Sequence, residues 1–155
     1  MQRLWAPWRS KYIQTVDEKP ECIFCEKAKS KNDRKNLVLK RGKYCFVILN
    51  IYPYNNGHLM VAPYRHISQI YQLKKCEIIE IFQFLKQYQI KLKEKLNPDG
   101  FNIGLNIGRV AGAGFEYHIH FHIVPRWEGD TNFMPVISNT KVISQSLQKV
   151  YKLLR

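Results

Sequence analysis

No stretch of this 155-residue sequence stays apolar long enough to cross a bilayer; the longest candidates, Phe46–Leu49 and Leu59–Ala62, are strand-sized. The opening, Met1–Lys11, alternates basic and aromatic residues and lacks the continuous apolar core and small-residue cleavage site of a signal peptide, so a cytoplasmic location is expected. There is no internal repeat and no low-complexity linker, which leaves one compact domain over residues 1–155, long enough to bury a real core without disulfides. Cysteine is sparse (Cys22, Cys25, Cys45, Cys76), and in a reducing compartment these are thiols or metal ligands rather than bridges. Acidic residues are scarce: 12 Asp and Glu stand against 25 Lys and Arg, a formal charge of +13. That surplus favours anionic partners such as nucleotides, polyphosphates or nucleic acid, although lysines between Lys74 and Lys95 also suit the solvated face of a helix.

The apolar pattern that remains is ordinary for a soluble globular protein, with 45% hydrophobic residues. Lys27–Lys35 is the most polar run and reads as a surface loop. Asn36–Lys40 and Lys43–Asn50 read as strands joined by a turn at Arg41-Gly42, and His58–Ala62 as a short buried strand stopped by Pro63. Apolar residues recur at helical spacing from Ser68 to Leu96 (Ile70, Leu73, Ile78, Ile81, Phe82, Leu85), and Asn97-Pro98-Asp99-Gly100 ends that helix. Phe101–Asn106 reads as a strand, Gly108–Gly114 as a glycine-rich loop, Tyr117–Val124 as an alternating strand, and Lys141–Leu154 as an amphipathic helix. Strands and helices are segregated rather than alternating, which implies an α+β domain on an antiparallel sheet of about five strands, with one long helix and a C-terminal helix.

Chemistry concentrates in Tyr117–Trp127, where His118, His120 and His122 alternate with Ile119, Phe121 and Ile123. On a strand, residues two apart share a face, about 7 Å between successive members. Three imidazoles on one face make a nucleophilic or metal-binding row, since imidazole changes protonation near neutral pH. Satisfied structural histidines explain one such residue better than a row of three with His58 and His66 placed near turn signals.

The pattern His118-x-His120-x-His122, followed by Pro125 and Arg126, resembles the signature of the histidine-triad family of nucleotide hydrolases and transferases. Asn50 with Asn56–Pro63 is similar to the family's second landmark. The opening Leu4-Trp5-Ala6-Pro7-Trp8-Arg9 and the trailing Trp127, Gly129, Asp130, Asn132 and Phe133 resemble the branch that includes bacterial diadenosine tetraphosphate phosphorylases. The resemblance implies that His120 attacks an α-phosphorus and forms a nucleotidyl-histidine intermediate. It assigns His122 to the phosphate or leaving group and places His58 behind them, orienting the cluster. It points to Asn50 for the ribose, and to Ile23, Phe24, Ile48 and Ile51 for the walls around the base; core packing is the alternative for these four. Asn106 and the amides of Gly108, Gly112 and Gly114 are candidates to cradle developing negative charge. Where many relatives carry Gln followed by Ser or Thr, this chain has Ala113-Gly114-Phe115-Glu116, so those side-chain contacts are missing or replaced by backbone amides.

Cys22-x-x-Cys25 has the spacing of half a zinc site, or of a redox pair, and no second pair follows. The resemblance supplies His66 and His118 as the remaining ligands of a closed structural zinc site, which ties an N-terminal extension over residues 1–35 to the sheet. No organic cofactor is implied. The competing functions are a basic zinc-containing nucleic-acid module, for which Trp5, Trp8, Arg3, Arg9 and Lys11 fit, and a redox protein; both leave the histidine row unexplained. Within the enzyme reading, phosphorolysis competes with hydrolysis of dinucleoside polyphosphates or phosphoramidates. A homodimer or a dimer of dimers is expected, with no membrane partner and nucleic acid disfavoured.

Overall fold

The computed structural model describes residues 22–131 and 142–155. The expectations placed on Arg3, Leu4–Arg9, Lys11, Asn132 and Phe133 lie outside those residues, whereas the last helix, expected from Lys141, starts only at Leu147, where the Ser146 side chain caps it by accepting the Lys149 amide.

Five strands form one antiparallel sheet: β1 (Val38–Arg41), β2 (Cys45–Leu49), β3 (Leu59–Pro63), β4 (Gly100–Gly104) and β5 (Phe121–Arg126), in the order β1-β2-β3-β5-β4. The strands bury both faces of the sheet centre, so β2 and β3 are buried at every position. Alternation sorts their side chains. Leu39, Cys45, Val47, Leu49, Leu59, Val61 and Ile123 belong to one cluster, and Val38, Phe46, Ile48, Met60 and Ala62 to the other.

The first cluster is covered by the long helix α3 (Lys75–Leu96), which buries Ile81, Phe84, Leu85, Tyr88 and Leu92 at spacings of three and four residues. The C-terminal helix α4 (Leu147–Leu154) packs beside it through Val150, Tyr151 and Leu154, and the Tyr151 hydroxyl donates to the Val38 carbonyl at 3.1 Å. Helix α1 (Ile23–Lys29) covers the second cluster with Phe24. The architecture is the expected α+β arrangement.

Element boundaries differ from expectation where distant residues intervene. The polar run Lys27–Lys35 is not a loop: it holds the end of α1 and the start of α2 (Asp33–Asn36). Arg41 organises it, donating to the carbonyls of Lys27, Ala28 and Ser30 at 2.9, 2.7 and 2.6 Å and to Asp33. A cation on the last carbonyls of a helix satisfies groups the helix itself leaves unpaired.

The long helix starts at Lys75, not Ser68, because the Glu77 carboxylate accepts the Lys74 amide at 2.7 Å and pairs with Arg65 at 2.7 and 2.8 Å. Ile70–Gln72 before it form a single 3₁₀ turn. The turn between β1 and β2 is clamped from α3: the Glu80 carboxylate accepts the amides of Lys43, Tyr44 and Cys45 at 2.9, 2.7 and 2.6 Å.

Strand β5 begins at Phe121 rather than Tyr117, so His118 and His120 precede the ladder and only His122 lies within it, opposite Met60 and Gly104. Pro125 sits late in this strand without loss. Its carbonyl accepts from Asn55 on the side where β3 has ended, and its nitrogen points the same way, off the ladder with β4.

Candidate active site and metal centre

His118, His120 and His122 fall on the α1 side of the sheet and are all buried. The approach to the strand is irregular, so the rings converge more closely than a regular 7 Å step: His120 and His122 stand 4.9 Å apart, edge to face. Phe24 stacks on His120 at 4.6 Å and lies 5.1 Å from His118.

Hydrogen bonds determine the tautomers. His120 Nδ1 is 2.8 Å from the His118 carbonyl, which can only accept, so Nδ1 carries the proton and Nε2 keeps its lone pair. The Tyr54 amide donates to His58 Nδ1 at 3.0 Å, so His58 carries its proton on Nε2, which lies 2.9 Å from His122 Nδ1. His122 therefore accepts on Nδ1 and carries its own proton on Nε2. A lone pair on His120 and a donor on His122 are thereby set side by side.

Burial keeps the row neutral. It pushes His58 and His122 down to about 3, with repulsion from neighbouring imidazoles adding to it. His120 is lowered by burial against the opposing bond to the His118 carbonyl. Neutral imidazole is the form that offers a lone pair.

The remaining candidates divide. The Asn50 side chain rests against His58, its amide nitrogen 3.4 Å from Nδ1, while its oxygen accepts the Tyr52 amide at 2.9 Å. Ile23 is half-buried and Ile51 is 45% exposed, so both have surface to offer a ligand; Ile48 is buried to 1% and packs with Phe46 and Met60 beneath the site. Asn106 donates to the Gly112 carbonyl at 3.3 Å, which makes it a tether of the glycine loop. Gly108 and Gly112 take positive φ (81° and 90°) around a 3₁₀ turn. Within this loop the amides of Ala111 and Ala113 bond to the Gly108 carbonyl, Gly112 bonds to the Arg109 carbonyl, and Arg109 bonds to Glu116. Of the three glycine amides expected to cradle negative charge, that of Gly112 is engaged within the loop, as are its neighbours at Arg109, Ala111 and Ala113.

A second cluster adjoins the row. The ligand atoms of Cys22, Cys25, His66 and His118 all lie within 4.8 Å of one another. Sulfur–nitrogen separations are 3.3 Å for Cys22–His118, 3.4 Å for Cys25–His66 and 3.6 Å for Cys25–His118. A tetrahedral zinc ion with bonds of about 2.3 Å to sulfur and about 2.0 Å to nitrogen gives such edges a length of about 3.5 Å. His118 donates Nε2–H to the Pro63 carbonyl at 2.8 Å, leaving Nδ1 toward the thiols, as a metal-ligating histidine does. Burial raises the Cys22 thiol to about 11, so a thiolate there calls for a cation. The donor set fits zinc.

Sequence reasoning missed the Tyr54 amide, which orients His58, and Asn55, whose side chain joins the turn before His58 to Asp130 at 2.7 Å. Neither has a spacing signature, since both act across chain reversals. Among the described residues no helix is long and apolar enough to cross a membrane.

The sequence matches the HIT domain family over residues 31–129. It is similar to the AP-4-A phosphorylase of Mycobacterium tuberculosis, 41% identical over 162 residues, covering 99% of this chain and 83% of that protein. It is also similar to an uncharacterized HIT-like protein of Methanocaldococcus jannaschii, 36% identical over 70% of this chain and 81% of the relative. Among solved structures, a zinc-bound histidine triad family protein from Mycobacterium smegmatis shares the fold with a TM-score of 0.68 at 24% identity, over 87% of this chain and 91% of the other. A hypothetical histidine triad nucleotide-binding protein from Sulfolobus tokodaii gives a TM-score of 0.63 at 27% identity, over 84% and 89% of the two chains.

Proposed function

The chain belongs to the HIT domain family, and from that premise we propose that it is a nucleotidyl phosphorylase acting on diadenosine tetraphosphate or a close analogue. The observation that carries this reading is the pair of tautomers: a neutral His120 with its Nε2 lone pair unprotonated, beside a His122 that presents Nε2–H. In the first step His120 Nε2 attacks the α-phosphorus. The phosphorus–nitrogen bond forms as the bridging phosphorus–oxygen bond breaks, and ATP leaves as the anion while the His122 N–H bonds to its oxygen. In the second step an oxygen of inorganic phosphate attacks the same phosphorus, expels His120 and releases ADP. The 41% identity to the M. tuberculosis phosphorylase supports phosphate over water as that second nucleophile.

Ile23, Phe24 and Ile51 form the base walls in this reading, Asn50 meets the ribose, and the Gly108–Gly114 loop approaches the phosphates. Cys22, Cys25, His66 and His118 hold a structural zinc, which locks α1 and Phe24 onto the sheet. The chain acts as one cytoplasmic HIT domain and pairs as a homodimer or a dimer of dimers. Support for pairing comes from the edge position of β4 among the described strands and from Ile79, Phe82 and Ile103, which are 49%, 60% and 44% exposed. The basic surplus serves an anionic substrate.

Incubation with diadenosine tetraphosphate, with and without inorganic phosphate, followed by chromatography of the products, tests the reaction. ADP plus ATP formed only with phosphate is the expected result; AMP plus ATP without phosphate makes the enzyme a hydrolase. His120→Asn abolishes turnover while folding and nucleotide binding persist, and retained turnover removes His120 as nucleophile.

A further inference from the structure

Asp130 takes no part in the steps above, yet its side chain is among the most heavily bonded in the described structure. It is only 7% exposed and accepts from Arg126 Nε and Nη2 at 2.7 and 2.9 Å, from Asn55 Nδ2 at 2.7 Å, from the Trp127 amide at 3.1 Å and from the Thr131 hydroxyl at 3.2 Å. The Arg126 hydrogen bonds hold its carboxyl well below the usual carboxylate range, so it stays ionised.

Asn55 is the unusual partner. It is 7% exposed, and each of its polar groups shown here has work in one turn. Its amide nitrogen bridges Asp130 and the Pro125 carbonyl, its side-chain oxygen accepts the Asn56 amide at 3.1 Å, and its carbonyl accepts the His58 amide at 3.2 Å. One residue earlier, the Tyr54 amide makes the bond that decides which nitrogen of His58 is protonated. The far side of the turn is held separately: Gly57, at φ +75°, lies so close to Leu96, Leu92 and Pro125 that a Cβ there falls 2.7 Å from Leu96 Cδ1. Packing therefore fixes where the turn lies, and Asp130 fixes how its leading arm is oriented.

We propose that Asp130 is a positioning residue: acting through Asn55, it holds the turn at residues 54–58 so that the Tyr54 amide keeps His58 as its Nε2–H tautomer and His122 as a donor toward substrate. The inference rests on the proposed roles of His120 and His122. If the Tyr54 amide withdraws, His58 can take its proton on Nδ1. Its Nε2 then accepts from His122 Nδ1, and His122 turns a lone pair toward the phosphate instead of an N–H. An anionic oxygen repels that arrangement, so the loss falls on the chemical step and not on substrate binding.

Two-bond proton–nitrogen correlation spectra of histidine-labelled protein near neutral pH read the tautomers directly. The wild type shows His58 and His122 as single Nε2–H forms. Asp130→Asn mixes the two forms and lowers kcat about tenfold, with KM within about twofold, since it removes part of an N–H contribution rather than the nucleophile. Asn102→Ala, which removes another partner of Arg126 without touching Asn55, leaves spectrum and kcat unchanged. If Asp130→Asn does not fold, Asn55→Ala answers the same question with the Arg126–Asp130 pair intact. Wild-type tautomers and kcat in either folded variant overturn the inference while the proposed reaction stands. Retained turnover in His120→Asn overturns the reaction instead.

Discussion

Lowering the pH from about 8 to about 5 should strip stability from the fold through His58 and His122, and the size of the loss follows from their burial. Both are held down to about 3 in the folded chain, by desolvation first and by neighbouring imidazoles second. An unfolded imidazole protonates near 6.5. The folded values are lowered, so between about 6.5 and about 3 the unfolded chain binds protons that the folded chain refuses, and stability must rise with pH across that window. Each group costs about 1.4 kcal/mol per pH unit below 6.5, or about 2 kcal/mol at pH 5, and the two together about 4 kcal/mol. That is a large fraction of the ~5–15 kcal/mol by which a domain is usually stable. Urea unfolding at a series of pH values measures it, with chelator present throughout so that acid-driven loss of a metal does not contribute. His118, held down to about 4, and His120, also lowered by burial, add to the same slope, so His58→Gln should remove only its own share, about 2 kcal/mol at pH 5. The depressed carboxyls of Glu77 and Asp130 act only below their own unfolded range, under about pH 4.5, so they cannot supply it. A flat stability between pH 8 and 5 refutes the assignment of these histidines as buried and neutral.

Glu80→Gln places a donor where three backbone amides converge and leaves at least one of them unmatched, so it should cost about 1–3 kcal/mol in denaturant unfolding with turnover per folded molecule unchanged. Elemental analysis of protein purified without chelator should find zinc near one equivalent per chain. Free zinc at about a hundredfold above its dissociation constant adds about 2.7 kcal/mol, so chelation should lower Tm by roughly 5–10 °C. Cys25→Ser should lower Tm similarly and make it insensitive to chelator; an unchanged Tm in both experiments rejects the site.

What could be read directly from the sequence was whatever depends on local period. The unbroken apolar runs of β2 and β3 mark strands covered on both faces, and the three- and four-residue spacing from Ile81 to Leu92 reports the helix that covers one of them. What could not be read depends on one long side chain reaching across the fold. Lys27–Lys35 has a loop composition, yet its carbonyls are capped by Arg41, which lies on the next strand. The start of α3 is likewise set by Arg65 meeting Glu77 and not by any residue near Ser68.

The histidine row divides the same way. Three alternating imidazoles identify the chemistry, but their protonation depends on acceptors and donors that spacing does not encode. For His120 that partner is the carbonyl of His118, two residues away and itself in the candidate zinc cluster through Nδ1. Phe24 makes the same connection from the other side: it lies between Cys22 and Cys25 and stacks on His120. Two short paths therefore join the candidate zinc ligands to His120, one through a peptide carbonyl and one through an aromatic ring. An ion bound by those four residues would hold both Phe24 over the imidazole and the carbonyl that keeps the proton of His120 on Nδ1.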